Sequence, residues 1–172
     1  SSTHFDEENL CGQAHKQLRK KFKNLLTIII PRHINRSLSI KDSLDNLGLK
    51  VHLHNPLSKV KKDTDVYIVN TYGKTKSFYT FCKNVFLGGS IINHGGQNPL
   101  EAARFGCYIL HGPNVSNFKE VYKFLNENKI STKINGTKSM TKTLEKLFMN
   151  NKNSGQISKK INIIGKKILN TT

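Results

Sequence analysis

Short apolar runs alternate with stretches of helical periodicity from one end of this chain to the other. Leu10, Ala14 and Leu18 recur at helical spacing and predict a helix over 6–22. A mostly apolar run at 25–30 predicts a buried strand stopping at Pro31-Arg32-His33, and a helix over 38–47 ends at Gly48. Strands are expected at 50–54 and 65–69, the second leading into Asn70-Thr71-Tyr72-Gly73. The pattern continues with a helix at 74–82, a strand at 84–87, and a helix at 99–105 closed by Gly106. It ends with a strand at 107–110 before His111-Gly112-Pro113, a helix at 118–126, a weak strand at 130–134 and a helix at 140–149. Residues 150–155 are polar and linker-like. A last helix is expected over about 156–172, with Ile157, Ile161, Ile164 and Ile168 on one stripe and Lys159, Lys160, Lys166 and Lys167 largely off it.

Strands alternating with helices at this spacing imply βαβ units. The expected fold is α/β, a Rossmann-like and mostly parallel sheet with helices on both faces, built as a single domain over 1–172. In such sheets ligands sit outside the carboxyl ends of the strands. The distinctive loops at 31–33, 71–73, 88–89 and 112–113 all follow strands, so they should share one edge of the sheet.

The richest of these loops is Gly88-Gly89-Ser90-Ile91-Ile92-Asn93-His94-Gly95-Gly96-Gln97-Asn98-Pro99-Leu100-Glu101. Asn98 suits an N-cap, Pro99 the first helical position, and Glu101 the third, a capping-box-like pattern. A strand, a glycine-rich turn and a helix start together suit an anion, because glycine lets backbone N–H groups approach it closely. Four glycines in residues 88–96 exceed what a cap requires, which favours a phosphate or nucleotide site.

Composition narrows the partners. The net charge of +17 suits an anionic one, but 24 of the 28 basic residues are scattered lysines in a chain also rich in Asn and Ile, as an AT-rich genome would give. No Arg-rich arm, zinc-finger spacing or interleaved aromatic motif is present, which argues against nucleic acid and leaves an anionic membrane surface as a partner. Three widely spaced cysteines fit a reducing compartment, and no apolar run is long enough to span a bilayer. The opening at Ser1 suggests part of a longer protein. Asp63-Thr64-Asp65 resembles a metal-binding triplet but precedes a strand and reads as structural. His52 and His54 have no third ligand at suggestive spacing, so no metal is expected. No nucleophile–base arrangement stands out. Binding chemistry is expected here, with the catalytic group elsewhere.

Taken in order, these loops resemble the C-terminal domain of 3-deoxy-D-manno-octulosonic acid (Kdo) transferase. The matching stretches are Ser2-Thr3-His4 with Glu7-Glu8, Pro31-Arg32-His33, Tyr72-Gly73 after Thr71, and Phe86-Leu87-Gly88-Gly89-Ser90. Gly95-Gly96-Gln97-Asn98-Pro99-Leu100-Glu101 and Gly112-Pro113 with Asn117-Phe118 complete the match. The resemblance implies a two-domain GT-B glycosyltransferase whose C-terminal half binds the donor CMP-Kdo. The acceptor, a lipid A precursor, and the catalytic carboxylate would belong to an N-terminal domain, so this chain alone would be an inactive part. Transfer would be inverting and metal-free, with no cofactor, at the cytoplasmic face of the bacterial inner membrane.

On that resemblance Pro31 and Arg32 hold the cytidine nucleotide, and Tyr72, Gly73 and Lys74 line the same pocket. Gly95 and Gly96 shape it, and Asn98, Pro99, Leu100 and Glu101 contact ribose and phosphate, with Glu101 accepting from ribose hydroxyls. Ser2, Thr3, His4, Gly88, Gly89 and Ser90 are further donor-site loops. Asp6, Lys74, Gln97 and Asn114 depart from the family pattern, as does Ala102 after Glu101. The tail helix is expected to pack on protein, either this domain or the N-terminal one, leaving its lysines free to face lipid. Two rival readings stay open: the nucleotide half of another GT-B enzyme using a UDP- or GDP-sugar, and a basic nucleic-acid-binding module.

Overall fold

The computed structural model describes residues 1–150 together with 159, 160 and 163. The expected stripe of Ile157, Ile161, Ile164 and Ile168 lies outside the described residues. Over residues 1–150 six strands and six α-helices follow one another, alternating except where β2 leads to β3: α1 (Glu7–Arg19), β1 (Thr27–Ile29), α2 (Ser37–Asn46), β2 (Val51–Leu53), β3 (Val66–Ile68), α3 (Thr75–Tyr79), β4 (Asn84–Leu87), α4 (Leu100–Arg104), β5 (Tyr108–His111), α5 (Lys119–Glu127), β6 (Ser131–Lys133) and α6 (Thr137–Met149). Each coincides with a predicted element to within a few residues. Two 3-10 turns, Ile34–Arg36 and Ser116–Phe118, have no counterpart in the sequence pattern.

All strand pairs are parallel, as βαβ units require. They form two three-stranded ladders rather than one continuous sheet, in the orders β1-β3-β2 and β4-β5-β6. Ile29 stands opposite Ile68, which stands opposite Leu53. In the second ladder Leu87 stands opposite His111, which stands opposite Lys133.

Side chains alternate across each strand, and in the second ladder both faces are covered, so both sets are apolar. In the second ladder Val85, Leu87 and Ile109 pack with Tyr79, Ala102 and Tyr122 of α3, α4 and α5. Their neighbours Phe86 and Leu110 point the other way, onto Ala14 of α1 and Met140 of α6. In the first ladder Ile29, Val66 and Ile68 pack with Ile40 and Leu44 of α2.

The amino-terminal residues hold the two ladders in line. Ser1 donates from its ammonium group to Phe86 O at 2.7 Å and accepts from Gly88 N at 2.9 Å, the bonding of a parallel neighbour to β4. Two residues on, Thr3 N donates to Ile30 O at 3.3 Å, and Arg32 N donates to Thr3 O at 2.9 Å, pairing Thr3 with Pro31 beyond β1. Between these contacts Ser2 takes a positive φ of 52°, which switches the segment from one ladder to the other. One short segment thus touches both ladders at the carboxyl ends of β1 and β4, where the functional loops begin.

Candidate functional site

The loops after β1, β3, β4 and β5 leave from the carboxyl ends of parallel strands, so they share one edge. A buried carboxylate organises the centre of that edge. Glu7, in the first turn of α1, is only 1% exposed. Its Oε2 accepts from His4 N at 2.9 Å and Gly89 N at 2.8 Å, and its Oε1 accepts from Ser90 N and Ile91 N, both at 3.0 Å. The glycine turn after β4 is therefore an anion nest, as its sequence suggests, but its anion is the protein's own. The amides of Gly89 and Ser90 are engaged by Glu7, so these residues set the position of the turn.

Close approach explains two of the glycines. A Cβ on Gly88 would stand 2.3 Å from Ser2 O and 2.5 Å from Thr3 Cα. A Cβ on Gly112 would stand 2.1 Å from Ser90 O. Gly112 N instead donates to Ser90 Oγ at 2.8 Å, tying the β5 loop to the β4 loop.

The Gly95-Gly96 segment folds back over this turn. Gly96 N donates to Gly89 O at 2.8 Å, Asn117 N donates to Gly95 O at 3.0 Å, and Tyr122 OH donates to Gln97 O at 2.7 Å. Asn114 Nδ2 holds Ile91 O at 2.9 Å. Asn114 and Gln97, two of the positions that depart from the family pattern, are thus built into the loop framework. Gln97 Nε2 also lies 3.4 Å from His4 Nε2.

Three histidines meet here. His4 has its ring 4.2 Å from that of His94 and 5.8 Å from that of His33. Burial, reinforced by His94, holds His4 below the ordinary imidazole range. Sequence reasoning gave His94 and His33 no role. Nothing in their spacing announces the contact, because they come from three separate loops. Behind them Glu8 takes both guanidinium nitrogens of Arg36, at 3.1 and 3.2 Å, and the Arg36 guanidinium lies over the Phe5 ring.

Asn98 Oδ1 accepts from Leu100 N at 3.0 Å in an Asx turn just before α4, but the N-cap position falls on Pro99 rather than on Asn98 as expected. The helical turns begin one residue later than predicted, after Pro99. The capping box does not form. The Glu101 carboxylate turns instead toward Lys76 of α3, with Nζ to Oε1 at 3.6 Å. That ion pair brings residues 98–101 beside the 72–74 loop, so these two predicted groups do converge. Tyr72, Gly73 and Lys74 are exposed, as are Arg32 and Asn98, while Pro31, Pro99, Gly95 and Gly96 are buried. Arg32 and Lys74 make no ion pair among the described residues. The edge therefore presents free cationic groups to solvent.

Two buried polar atoms at this edge, Thr3 Oγ1 and Asn70 Oδ1, have no hydrogen-bond partner among the described residues. Unpartnered buried acceptors and hydroxyls are uncommon, and a bound ligand is one way to satisfy them. The Asp63-Thr64-Asp65 triplet lies away from this edge, before β3. Asp65 is buried against His15, Arg19 and the Lys50 amide, and Asp63 faces solvent beside Lys50. Their carboxylates are held by different partners, in keeping with a structural triplet.

No protein-family model matches this sequence. Among curated proteins, the 3-deoxy-D-manno-octulosonic acid transferase of Haemophilus influenzae is 28% identical over 90% of this chain and 36% of its own length. That of Rickettsia felis is 32% identical over 88% of this chain and 32% of its own. The chain is related to the Kdo transferases. It spans about a third of the length of those relatives. Among solved structures, the C-terminal CMP-Kdo binding domain of WaaA from Acinetobacter baumannii superposes with a TM-score of 0.86. The match covers 95% of this chain and 85% of that one at 21% identity, so the Kdo transferase relation extends to the fold. No helix among the described residues is long and apolar enough to cross a membrane.

Proposed function

We propose that this chain binds CMP-Kdo as the donor-side domain of a Kdo transferase, which moves Kdo from CMP-Kdo to a lipid A precursor in lipopolysaccharide core synthesis. One observation carries the reading. The loops singled out by the Kdo transferase resemblance gather on one edge of parallel strands, around unpartnered Thr3 Oγ1 and Asn70 Oδ1. The solved neighbour's description as a CMP-Kdo binding domain supports the choice of ligand.

Pro31 and Arg32 hold the nucleotide in this proposal, with the exposed guanidinium supplying a planar fork for phosphate or carboxylate. Tyr72, Gly73 and Lys74 flank the base or sugar, and Glu101 accepts from the ribose hydroxyls. Gly95, Gly96 and residues 98–100 set the loop that presents Glu101. Ser2, Thr3, His4, Gly88, Gly89 and Ser90 form the floor, locked by Glu7. Transfer is inverting and metal-independent, with acceptor and catalytic carboxylate on an N-terminal domain. The net charge of +17 suits residence at the anionic cytoplasmic face of the inner membrane.

Calorimetry with CMP, UMP and GMP tests the assignment. CMP is expected to bind most tightly, with an affinity unchanged by EDTA. A preference for UMP or GMP would point to a UDP- or GDP-sugar enzyme instead. Glu101→Gln is expected to weaken CMP binding about 10-fold or more, since a charge-assisted hydrogen bond contributes about 1.5–3 kcal/mol. The melting temperature should barely move, because the ion pair it breaks with Lys76 is exposed and such pairs contribute little. Lys76→Gln breaks the same pair and should leave CMP affinity near that of the parent. Equal loss in both variants would assign Glu101 to the ion pair rather than to ribose.

A further inference from the structure

Four of the five connections between successive strands carry a helix, and the fifth does not: residues 54–65 lead from β2 to β3 as loop alone. Parallel neighbours need a crossover, and a helix is its usual form. This loop buries little of itself. Leu57 is 94% exposed and Val60 44%, and Lys59, Lys61 and Lys62 stand exposed beside them.

The tip of the loop has a defined shape. Asn55 Oδ1 accepts from Leu57 N at 2.9 Å, an Asx turn, and Asn55 O accepts from Ser58 N at 3.1 Å. Ser58 Oγ lies 3.2 Å from His52 Nε2, and the His52 ring stacks on Tyr67 of β3, which ties the turn to the first ladder. A leucine exposed alone needs no explanation. Here it comes with charge. Lys59, Lys61 and Lys62 make no ion pair among the described residues. Of the acids in the loop, Asp65 is buried and Asp63 is held by Lys50 at 2.6 Å. The loop therefore presents an apolar tip flanked by positive charge that no acid neutralises.

That combination fits the interface of an anionic bilayer. An apolar side chain enters the boundary of the acyl chains there, while lysines lay their stems on apolar surface and keep their ammonium groups among the phosphates. The position of the loop fits as well. β2 is the outer strand of its ladder, and the loop leaves its carboxyl end, the edge that carries the donor-site loops.

We propose that the 54–65 loop docks this domain on an anionic lipid bilayer, with Leu57 in the interface and Lys59, Lys61 and Lys62 on lipid phosphates. The docking brings the donor edge beside a membrane-borne acceptor; that purpose rests on the donor-domain reading above, whereas the contact itself needs no donor.

Sedimentation of the full chain with phosphatidylcholine vesicles, with and without phosphatidylglycerol, tests it. Binding is expected only where phosphatidylglycerol is present. Joint replacement of Lys59, Lys61 and Lys62 by Gln is expected to weaken it about tenfold or more, since each lysine at an anionic surface contributes about fivefold. Joint replacement of Lys20, Lys23 and Lys123, exposed lysines on other elements, removes the same charge and should weaken it by no more than about threefold. Leu57→Ser should cost about fivefold at unchanged charge. The chain has no tryptophan, so Leu57→Trp supplies a single reporter, whose emission should shift to the blue on anionic vesicles. Equal loss in the two triple-lysine variants overturns the proposal and assigns binding to net charge. Unshifted emission from vesicle-bound Leu57→Trp overturns it too, leaving the tip to water or to a protein partner. Calorimetry with CMP on the same variants keeps the two readings apart. Loop-dependent vesicle binding supports the docking whether or not CMP binds, and CMP binding with loop-independent vesicle binding overturns the docking alone.

Discussion

Glu7→Ala is expected to lower the stability of this domain by about 3–5 kcal/mol, the cost of removing one partner from a buried charged network. The substitution leaves the N–H groups of His4, Gly89, Ser90 and Ile91 without their acceptor, at a site closed to water. Each unsatisfied buried donor costs about 1–3 kcal/mol, softened by relaxation of the turn. Glu7→Gln is expected to fall between parent and alanine. Its oxygen can serve one pair of amides, while its NH₂ group confronts the other pair, donor against donor. Urea titration by circular dichroism checks the order parent, Gln, Ala. A Glu7→Ala midpoint within error of the parent would mean that the turn finds other acceptors and that Glu7 does not organise the edge. Loss of CMP binding in Glu7→Gln at a temperature where it remains folded would show that the nest also sets the donor site.

Acidification is expected to destabilise the chain well before its carboxylates titrate. His15 is buried between α1 and the first ladder. Its Nδ1 lies 2.9 Å from Thr27 Oγ1, and its Nε2 lies 3.2 Å from Asp65 Oδ1. A neutral ring satisfies both contacts, donating from Nε2 to the carboxylate and accepting from the threonine hydroxyl at Nδ1. Asp65 is already paired with Arg19, whose charge further opposes a proton on the ring. Burial, and then Arg19, bring the His15 pKa from 6.5 down to about 4.

With the folded pKa below the unfolded one, the unfolded chain binds the proton first as pH falls. The stabilisation is complete above about pH 6.5 and is lost progressively between there and about pH 4. The shift corresponds to about 3 kcal/mol in full. His111, held down by burial, and His4, held down by burial and His94, act in the same direction. A fall in melting temperature from about pH 7 to about pH 5 is therefore expected, and His15→Gln should flatten much of it. An equally steep profile in His15→Gln would move the acid sensitivity to the other histidines.

The alternation of elements was legible because each is short and its apolar residues keep one period. Strands at 25–30 and 84–87 are mostly apolar, and β4 is buried on both faces from Val85 to Leu87. The turn at Asn98 is a local matter of side-chain reach: its Oδ1 takes the Leu100 amide, although the N-cap position falls on Pro99. The glycine-rich turn was legible as an anion nest for the same reason: small residues at that spacing free the backbone amides whatever the rest of the chain does.

The identity of the anion in that nest was not legible. Glu7 is 82 residues from Gly89 in the chain, and no local rule links an acid in the first turn of a helix to a turn so distant. The same holds for Glu101, where a local capping rule lost to the tertiary approach of Lys76. It also holds for the meeting of His4, His33 and His94, and for the division of six parallel strands into two ladders held by residues 1–3. By itself the sequence determined which segments are helix, strand and turn, and so which loops leave from strand ends. These follow from hydrophobic period and backbone stereochemistry within a few residues. Only the tertiary structure decided which side chains those loops bring together, because contacts between distant segments depend on strand order and packing, which no short window of residues contains.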